Sequence, residues 1–135
     1  MWGNIEKADE INQNRLNSWN SYYHGLKSLE INGYIELPII PKNSIQNAHM
    51  FYIKVKDIQE RTELIEYLKQ QDINVVFHYV PLHSTPAGLK FGRFNGEDIY
   101  TTTESEKLIR LPMYYGLLKE DINYVVATIY KYYGL

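Results

Sequence analysis

Hydrophobic positions near the start of the chain recur at spacings of three and four, the period of an amphipathic helix. The stripe consists of Ile5, Ala8, Leu16, Trp19, Tyr22, Tyr23 and Leu26, and it is interrupted at Asn12. This pattern predicts one long helix over residues 4–27. Its apolar face is large for one small domain, and Trp2 adds to that surface. We interpret both features as signs that the chain is part of a larger protein.

After this helix, the spacing of the hydrophobic residues alternates between the period of a strand and that of a helix. Asn32-Gly33 predicts a turn, and Pro38 and Pro41 favour an extended path after it. Residues 49–55, "HMFYIKV", alternate as in a strand. Asp57, with Glu60 three positions later, predicts a capped helix whose buried face holds Leu64, Ile65 and Leu68. Residues 73–80, "INVVFHYV", form the strongest predicted strand.

The second half combines a long polar loop with shorter elements. Proline and glycine predict a loop over residues 81–102 that is long enough to suggest a role in ligand binding. Thr103 and Glu106 predict a capped helix over 104–109. Pro112 places the following strand, "IRLPMYY", at a sheet edge, and residues 119–133 predict a last helix. We therefore expect a two-layer α+β domain: a small, mostly antiparallel sheet with helices on one face.

Composition removes several classes of function. The chain has 135 residues, a net charge of -2 and no cysteine. Disulfides and thiolate metal sites are therefore excluded, and mixed charge gives no nucleic-acid footprint. Apolar runs are too short for a membrane helix, so we expect a cytoplasmic protein. Tyrosine is abundant, at 13 residues, which suits half-buried helices or, alternatively, a sugar-stacking face or a partner interface.

The stretch "FHYVPLH", residues 77–83, holds the strongest candidates for chemistry. Strand alternation would direct Phe77 and Tyr79 to one face and His78 to the other, so that Tyr79 would not lie beside His78. A histidine at a strand end is either a polar cap or a ligand-binding group. The polar cap is the commoner case, but His83 in the following loop makes the two alternatives equal in weight, because loops carry function disproportionately.

Two further kinds of site are conceivable here. His78 and His83 could bind a metal together with His49, Glu97 or Asp98, although their spacing matches no ligand motif. Ser84 and Thr85 follow His83 and could serve a hydrolase, but no nucleophile-elbow pattern surrounds them.

Four longer segments together resemble one family of enzymes. They are "ADEINQNRLNSWNSYY", "QNAHMFYIKV", "FHYVPLHSTPAGLKFGRFNGED" and "TTTESEKLIRLPMYYGL". They are similar to the C-terminal part of the DegT/DnrJ/EryC1/StrS sugar aminotransferases. The resemblance implies the small domain of the fold-type-I aminotransferase fold and pyridoxal phosphate as the family's cofactor. It also implies transfer of an amino group, typically from glutamate, to a keto carbon of a nucleotide-linked deoxyhexose.

The resemblance covers only the part of the family that follows the cofactor-binding domain. It implies that residues 1–27 form a helix linking two domains, that residues 28–135 form the small-domain core, and that the large domain with its Schiff-base lysine is absent. We therefore expect no cofactor site, no metal and no catalytic residue in this chain, which should be inactive alone. His78, Tyr79 and His83 would lie near the nucleotide sugar. The alternative is a stand-alone interaction module that forms a homodimer through helix 4–27.

Overall fold

A computed structural model of the protein describes residues 6–135. The elements, in chain order, are α1 (Ala8–Ile31), β1 (Phe51–Lys54), α2 (Ile58–Gln70), β2 (Val76–Phe77), a 3₁₀ turn (Leu82–Ser84), α3 (Pro86–Phe91), α4 (Thr101–Lys107), β3 (Leu108–Leu111) and α5 (Lys119–Tyr132). Trp2 and Ile5, both part of the predicted apolar surface, lie outside the described residues. Within residues 6–135, none of these helices has the length and apolar character that crossing a membrane requires.

Helix α1 extends to Ile31, past its predicted end at residue 27. A C-terminal motif closes it there, at the Asn32-Gly33 turn. The N–H of Gly33 donates to the carbonyl of Glu30 at 3.0 Å, and that of Tyr34 donates to the carbonyl of Leu29 at 3.0 Å. Gly33 takes the left-handed conformation this motif needs, with φ of 77°. The predicted turn is thus the stop signal of the helix itself.

The sheet is antiparallel, and β3 is its central strand between β1 and β2. Phe51 pairs with Leu111 and Val76 pairs with Arg110. The prediction of an edge position for this strand is wrong: Pro112 follows β3 directly, so its missing N–H removes no ladder hydrogen bond. Placing β3 at the centre is what forms one sheet from the two outer strands.

The strongest predicted strand, residues 73–80, is reduced to two paired residues. Ile73 and Val75 are buried in the core without belonging to a paired strand. Beyond Phe77 the chain leaves the sheet, and Tyr79 has a positive φ of 24°. The apolar run in the sequence therefore reflects the burial of Ile73 and Val75 in the core and not a long paired strand.

Capping gives one correct helix start and one wrong one. The Asp57 carboxylate accepts from the Glu60 N–H at 3.0 Å, as predicted for α2. The predicted cap at Thr103 is wrong, because α4 already begins at Thr101 and ends where β3 starts. At the start of α4, the Asp98 carboxylate accepts from the Thr102 N–H at 3.3 Å and so satisfies one of the free backbone donors of the helix.

The core lies between the sheet and the long helices. Tyr22 and Leu26 of α1 and Ile129 of α5 are fully or almost fully buried, and so are Phe51 and Ile109 of the sheet. The alternate strand residues, among them Tyr52, Lys54 and Arg110, remain half-buried on the opposite face. This is the expected two-layer α+β arrangement, and it leaves one sheet face open for a site.

Candidate functional site

A cleft of about 530 Å³ lies on the open face of the sheet, and we call it the open-face cleft. Its polar lining is formed by Tyr52 and Lys54 of β1, His78 and Tyr79 after β2, and Thr101, Glu104 and Ser105 of α4. These residues converge because β1 and β2 both flank β3, and α4 leads directly into β3. The fold therefore brings five of the seven residues of the "FHYVPLH" stretch, residues 78–82, to a concave surface.

His78 and Tyr79 both line this cleft, with their ring centroids 4.8 Å apart. The prediction that Tyr79 would not lie beside His78 is therefore wrong. It assumed strand alternation through residue 80, whereas β2 ends at Phe77 and the backbone turns at Tyr79. The Nδ1 atom of His78 is buried and has no hydrogen-bond partner within residues 6–135.

Lys54 lies on the other side of the cleft between two carboxylates. Its Nζ is 2.6 Å from Glu36 and 2.7 Å from Glu104. Partial burial lowers the pKa of Lys54, but the hydrogen bonds to Glu104 and Glu36 outweigh that effect and hold the pKa above its ordinary value. Lys54 is therefore an ammonium group at neutral pH, with much of its charge neutralised locally.

His83 lies outside the open-face cleft and belongs to a network of its own. Its Nε2 atom is 2.7 Å from the Asp98 carboxylate, and its ring centroid is 4.4 Å from that of Phe94. The Thr102 hydroxyl donates to the same carboxylate. Hydrogen bonds from Thr102, and then the contact with His83, hold the pKa of Asp98 below its ordinary value. The result is an ionised carboxylate that fixes the orientation of the imidazole.

The two histidines therefore face neighbouring clefts. His83 lines an apolar cleft of about 490 Å³ together with Phe91 and Phe94. Leu82 lines both this cleft and the open-face cleft. His78, Tyr79 and His83 thus lie around one ridge of the loop, although they do not form a single contact cluster. Asp98 was among the residues grouped with His83 in the sequence, but as a metal ligand, and no pattern indicated Thr102 as a partner.

The hydrolase arrangement is not formed. The Ser84 hydroxyl donates to the carbonyl of Pro81 at 2.9 Å, and the Thr85 hydroxyl donates to the carbonyl of Leu82 at 2.8 Å. Both hydroxyls therefore stabilise the 3₁₀ turn and the start of α3. A triad also needs the carboxylate and the nucleophile on different imidazole nitrogens, whereas Asp98 and the Thr102 hydroxyl both face Nε2 of His83.

The metal arrangement is not formed either. His49 is exposed and its Nδ1 lies 2.9 Å from the side-chain oxygen of Asn47. It lines neither of the clefts that hold His78 and His83. Across residues 6–135, no three histidine, aspartate or glutamate side chains come together as a metal site.

Pyridoxal phosphate, which the family resemblance implies, requires a lysine that can lose its proton to form an imine. Lys54 is the lysine that lines the open-face cleft, and its two carboxylate partners favour the charged form. Lys27 is likewise engaged, in an ion pair with Glu30 on the surface of α1. Neither Lys54 nor Lys27 is therefore placed to form such an imine.

The chain is similar in sequence and in structure to several known proteins. A dTDP-3-amino-3,6-dideoxy-alpha-D-galactopyranose transaminase from Aneurinibacillus thermoaerophilus is 25% identical over 130 residues, covering 95% of this chain and 33% of the transaminase. PseC of Helicobacter pylori, an aminotransferase of pseudoaminic acid biosynthesis, has a TM-score of 0.82 at 18% identity, covering 96% of this chain and 34% of PseC. NtdA from Bacillus subtilis, solved with bound cofactor PMP, has a TM-score of 0.70 at 24% identity, covering 90% of this chain and 28% of NtdA.

The chain spans only 27% to 33% of the length of the curated relatives it matches. Its α+β structure corresponds to a fragment of the pyridoxal-phosphate aminotransferase fold. Residues 2–130 match the profile of the DegT/DnrJ/EryC1/StrS aminotransferases. Because that match covers nearly the whole sequence, the chain belongs to the DegT/DnrJ/EryC1/StrS aminotransferase family.

Proposed function

We propose that this chain provides the small domain of a pyridoxal-phosphate-dependent nucleotide-sugar aminotransferase. Residues 1–27 would form the helix that links the two domains, and residues 28–135 the small-domain core. The observation that carries the proposal is the family match over residues 2–130. We further propose a dTDP-4-keto-6-deoxyhexose as the substrate of the whole enzyme, because the sequence resembles dTDP-4-amino-4,6-dideoxygalactose transaminases.

The chain contributes groups that bind substrate. His78 and Tyr79 line the open-face cleft, where an imidazole can donate to a sugar hydroxyl or a diphosphate oxygen and a phenol ring can stack. The unpaired Nδ1 of His78 supports this role, because a buried polar atom without a partner is costly unless a ligand satisfies it. His83, held by Asp98, would take part from the neighbouring side of the loop.

The cofactor chemistry comes from outside this chain. Pyridoxal phosphate supplies the electron sink that amino-group transfer requires. Lys54 is held as an ammonium group between Glu36 and Glu104, so it is a poor imine former. We propose that the chain alone holds no cofactor and does not catalyse transamination.

Two measurements test these parts separately. The first is calorimetric titration of the chain with dTDP and with a dTDP-linked deoxyhexose, for which we expect weak, saturable binding. His78→Ala and His83→Ala should weaken it, whereas His49→Ala, at an exposed position outside both clefts, should not. Binding that all three variants leave unchanged would contradict the substrate-side role.

The second measurement tests inactivity. The chain is incubated with pyridoxal phosphate, glutamate and a dTDP-4-keto-6-deoxyhexose, then treated with borohydride and analysed for a lysine adduct by mass spectrometry. We expect no amino sugar and no stoichiometric adduct. A single modified lysine together with turnover would overturn the proposal that the cofactor site lies elsewhere.

The alternative of a homodimer through helix 4–27 stays a prediction. The helix exposes less apolar surface for such pairing than the sequence implied. Trp19, Tyr22 and Leu26 are buried against the chain's own core, whereas Ala8 is exposed and Ile11 is half-buried. Sedimentation equilibrium over a dilution series tests it. A monomer at every concentration would exclude self-association through this helix.

A further inference from the structure

Arg61 of α2 joins two elements that form walls of the open-face cleft. Its Nη1 atom donates to the carbonyl of Ser105 in α4 at 3.0 Å. Its guanidinium carbon lies 5.2 Å from the ring centroid of Phe77, the last residue of β2. Ser105 lines the cleft, and so does His78, which follows Phe77 directly. Arg61 is not a lining residue itself, so it can act on the cleft only through these neighbours.

Arg61 reaches both elements from the core side of the sheet. Phe77 pairs with Ile109 of β3, and directly paired residues of antiparallel strands lie on the same face. Ile109 is fully buried in the core, whereas Lys54 lines the cleft on the opposite face. Arg61 therefore supports the cleft from behind and leaves its interior free for a ligand.

Helix α4 depends on such contacts for its position. None of its residues is buried, so packing into the core does not hold it. On the cleft side, Lys54 lies 2.7 Å from Glu104, but Glu104 is 46% exposed and so exposed an ion pair is weak on its own. The carbonyl of Ser105 is one of the last four of the helix, which have no partner within it. By satisfying this carbonyl, Arg61 gives α4 a second fixed point.

The chemistry of arginine suits this role. Its guanidinium group is planar and permanently charged, and it can lie over an aromatic ring while its edge donates hydrogen bonds. The Nε atom of Arg61 is buried and, in the part of the chain that the structure describes, has no hydrogen-bond partner. The side chain is therefore held inside the protein and is not a solvated surface charge.

We propose that Arg61 is a positioning residue of the open-face cleft. It keeps α4 and the end of β2 together, and thereby holds Glu104 against Lys54 on one wall and His78 on the other. This inference rests on the proposed substrate-side role of the cleft. Its consequence is that removing the guanidinium group alters the cleft, although no group that lines the cleft is changed.

The first test needs no ligand. Partial burial lowers the pKa of Lys54, and the hydrogen bonds to Glu104 and Glu36 raise it by more. Arg61→Met, which keeps an unbranched side chain, should lower the pKa of Lys54 because α4 moves and takes Glu104 with it. Loss of a positive charge alone would raise that pKa, so the two explanations predict opposite signs. The pKa is followed by NMR of ¹³C-labelled lysine, and an unchanged or raised value would overturn the proposal.

The second test is calorimetric titration with the dTDP-linked deoxyhexose. Arg61→Met should bind it about fivefold more weakly than the parent chain, the equivalent of one net hydrogen bond. Arg15→Met is the matched control, because Arg15 is also half-buried but lies on α1 and does not line the open-face cleft; it should bind as the parent does. Urea unfolding of both variants separates stability from positioning. Lower stability of Arg61→Met with parent affinity and a parent pKa of Lys54 would reduce Arg61 to a structural residue.

A conservative variant keeps the proposal testable if Arg61→Met does not fold. Arg61→Lys retains the charge but not the planar fork, so both measurements should fall between those of the parent and of Arg61→Met. If only the lysine variant folds, parent values in both tests would refute the role of Arg61. If the parent chain binds no dTDP-linked deoxyhexose, the proposed substrate-side role fails, whereas the pKa of Lys54 still decides whether Arg61 positions α4.

Discussion

Replacing Tyr22 by phenylalanine should stabilise the protein, contrary to the usual effect of removing a buried polar group. The Tyr22 ring is buried and stacks on Phe51 with centroids 5.1 Å apart, and phenylalanine keeps both features. The variant loses only the hydroxyl, which has no hydrogen-bond partner within the described residues. A buried, unsatisfied hydroxyl costs about 1–3 kcal/mol. We therefore expect Tyr22→Phe to raise the free energy of unfolding by about 1 kcal/mol at neutral pH, and Tm by about 4 °C.

The same substitution should have a larger effect at alkaline pH. Burial raises the pKa of Tyr22 in the folded state, so the phenol stays neutral there while the unfolded chain ionises near pH 10. The stabilisation from a raised pKa is complete below the unfolded pKa and is lost as the pH rises above it. Between pH 10 and 11 the parent chain should lose about 1 kcal/mol more than Tyr22→Phe.

The assay is urea unfolding followed by far-UV circular dichroism at pH 7, 9, 10 and 11. Tyr130→Phe is the matched control, because the Tyr130 hydroxyl donates to the carbonyl of Gly25 at 3.1 Å. Loss of that bond should destabilise by about 0.5–1.5 kcal/mol. If Tyr22→Phe were destabilising by a similar amount at pH 7, its hydroxyl would have a partner in solution. The inference from an unsatisfied group would then be wrong.

Three further predictions concern a cap, a glycine and an ion pair. Asp57→Ala should lower the free energy of unfolding by about 1 kcal/mol, because α2 loses its N-cap. Asp57→Asn should keep most of the parent stability, since asparagine also caps helices. Chemical unfolding measures both variants, and an alanine variant as stable as the parent would contradict the cap. Gly88→Ala should disorder the 3₁₀ turn and α3, because a Cβ at that position would lie 1.7 Å from the carbonyl of Leu82. Hydrogen exchange should rise locally there with little change in Tm, since neither element has a buried residue, and unchanged exchange would contradict the steric argument. Glu104→Gln should lower the pKa of Lys54 towards its ordinary value, measurable by NMR, because it removes one of two carboxylate partners; an unchanged pKa would mean that Glu36 alone sets it.

Predictions that depended on neighbours within one element were confirmed most closely. The apolar spacing identified α1, α2 and α5, and Asp57 with Glu60 identified the start of α2. These signals concern residues three or four positions apart, which a helix brings together whatever the rest of the chain does. The prediction at Thr103 was wrong because α4 begins two residues earlier, where the carboxylate of Asp98 accepts from the Thr102 N–H.

Strand predictions were less accurate because an apolar run reports burial and not pairing. Residues 73–80 bury Ile73 and Val75, yet only Val76 and Phe77 pair with β3. The placement of Tyr79 beside His78 followed from this shortening, since alternation applies only while the strand continues. Pairing also depends on a partner strand that lies far away in sequence.

The sequence by itself determined the three long helices α1, α2 and α5, the α+β class, the resemblance to the aminotransferase family and the stretch that we propose for ligand binding. Only the tertiary structure decided which side chains meet. It placed Lys54 against Glu104, 50 positions away, and His83 against Asp98, 15 positions away. It also formed a cleft lined by residues from the end of α2 and the start of α5. The physical reason is that local patterns specify how each element folds, whereas contacts between elements depend on the path of the whole chain around one shared core.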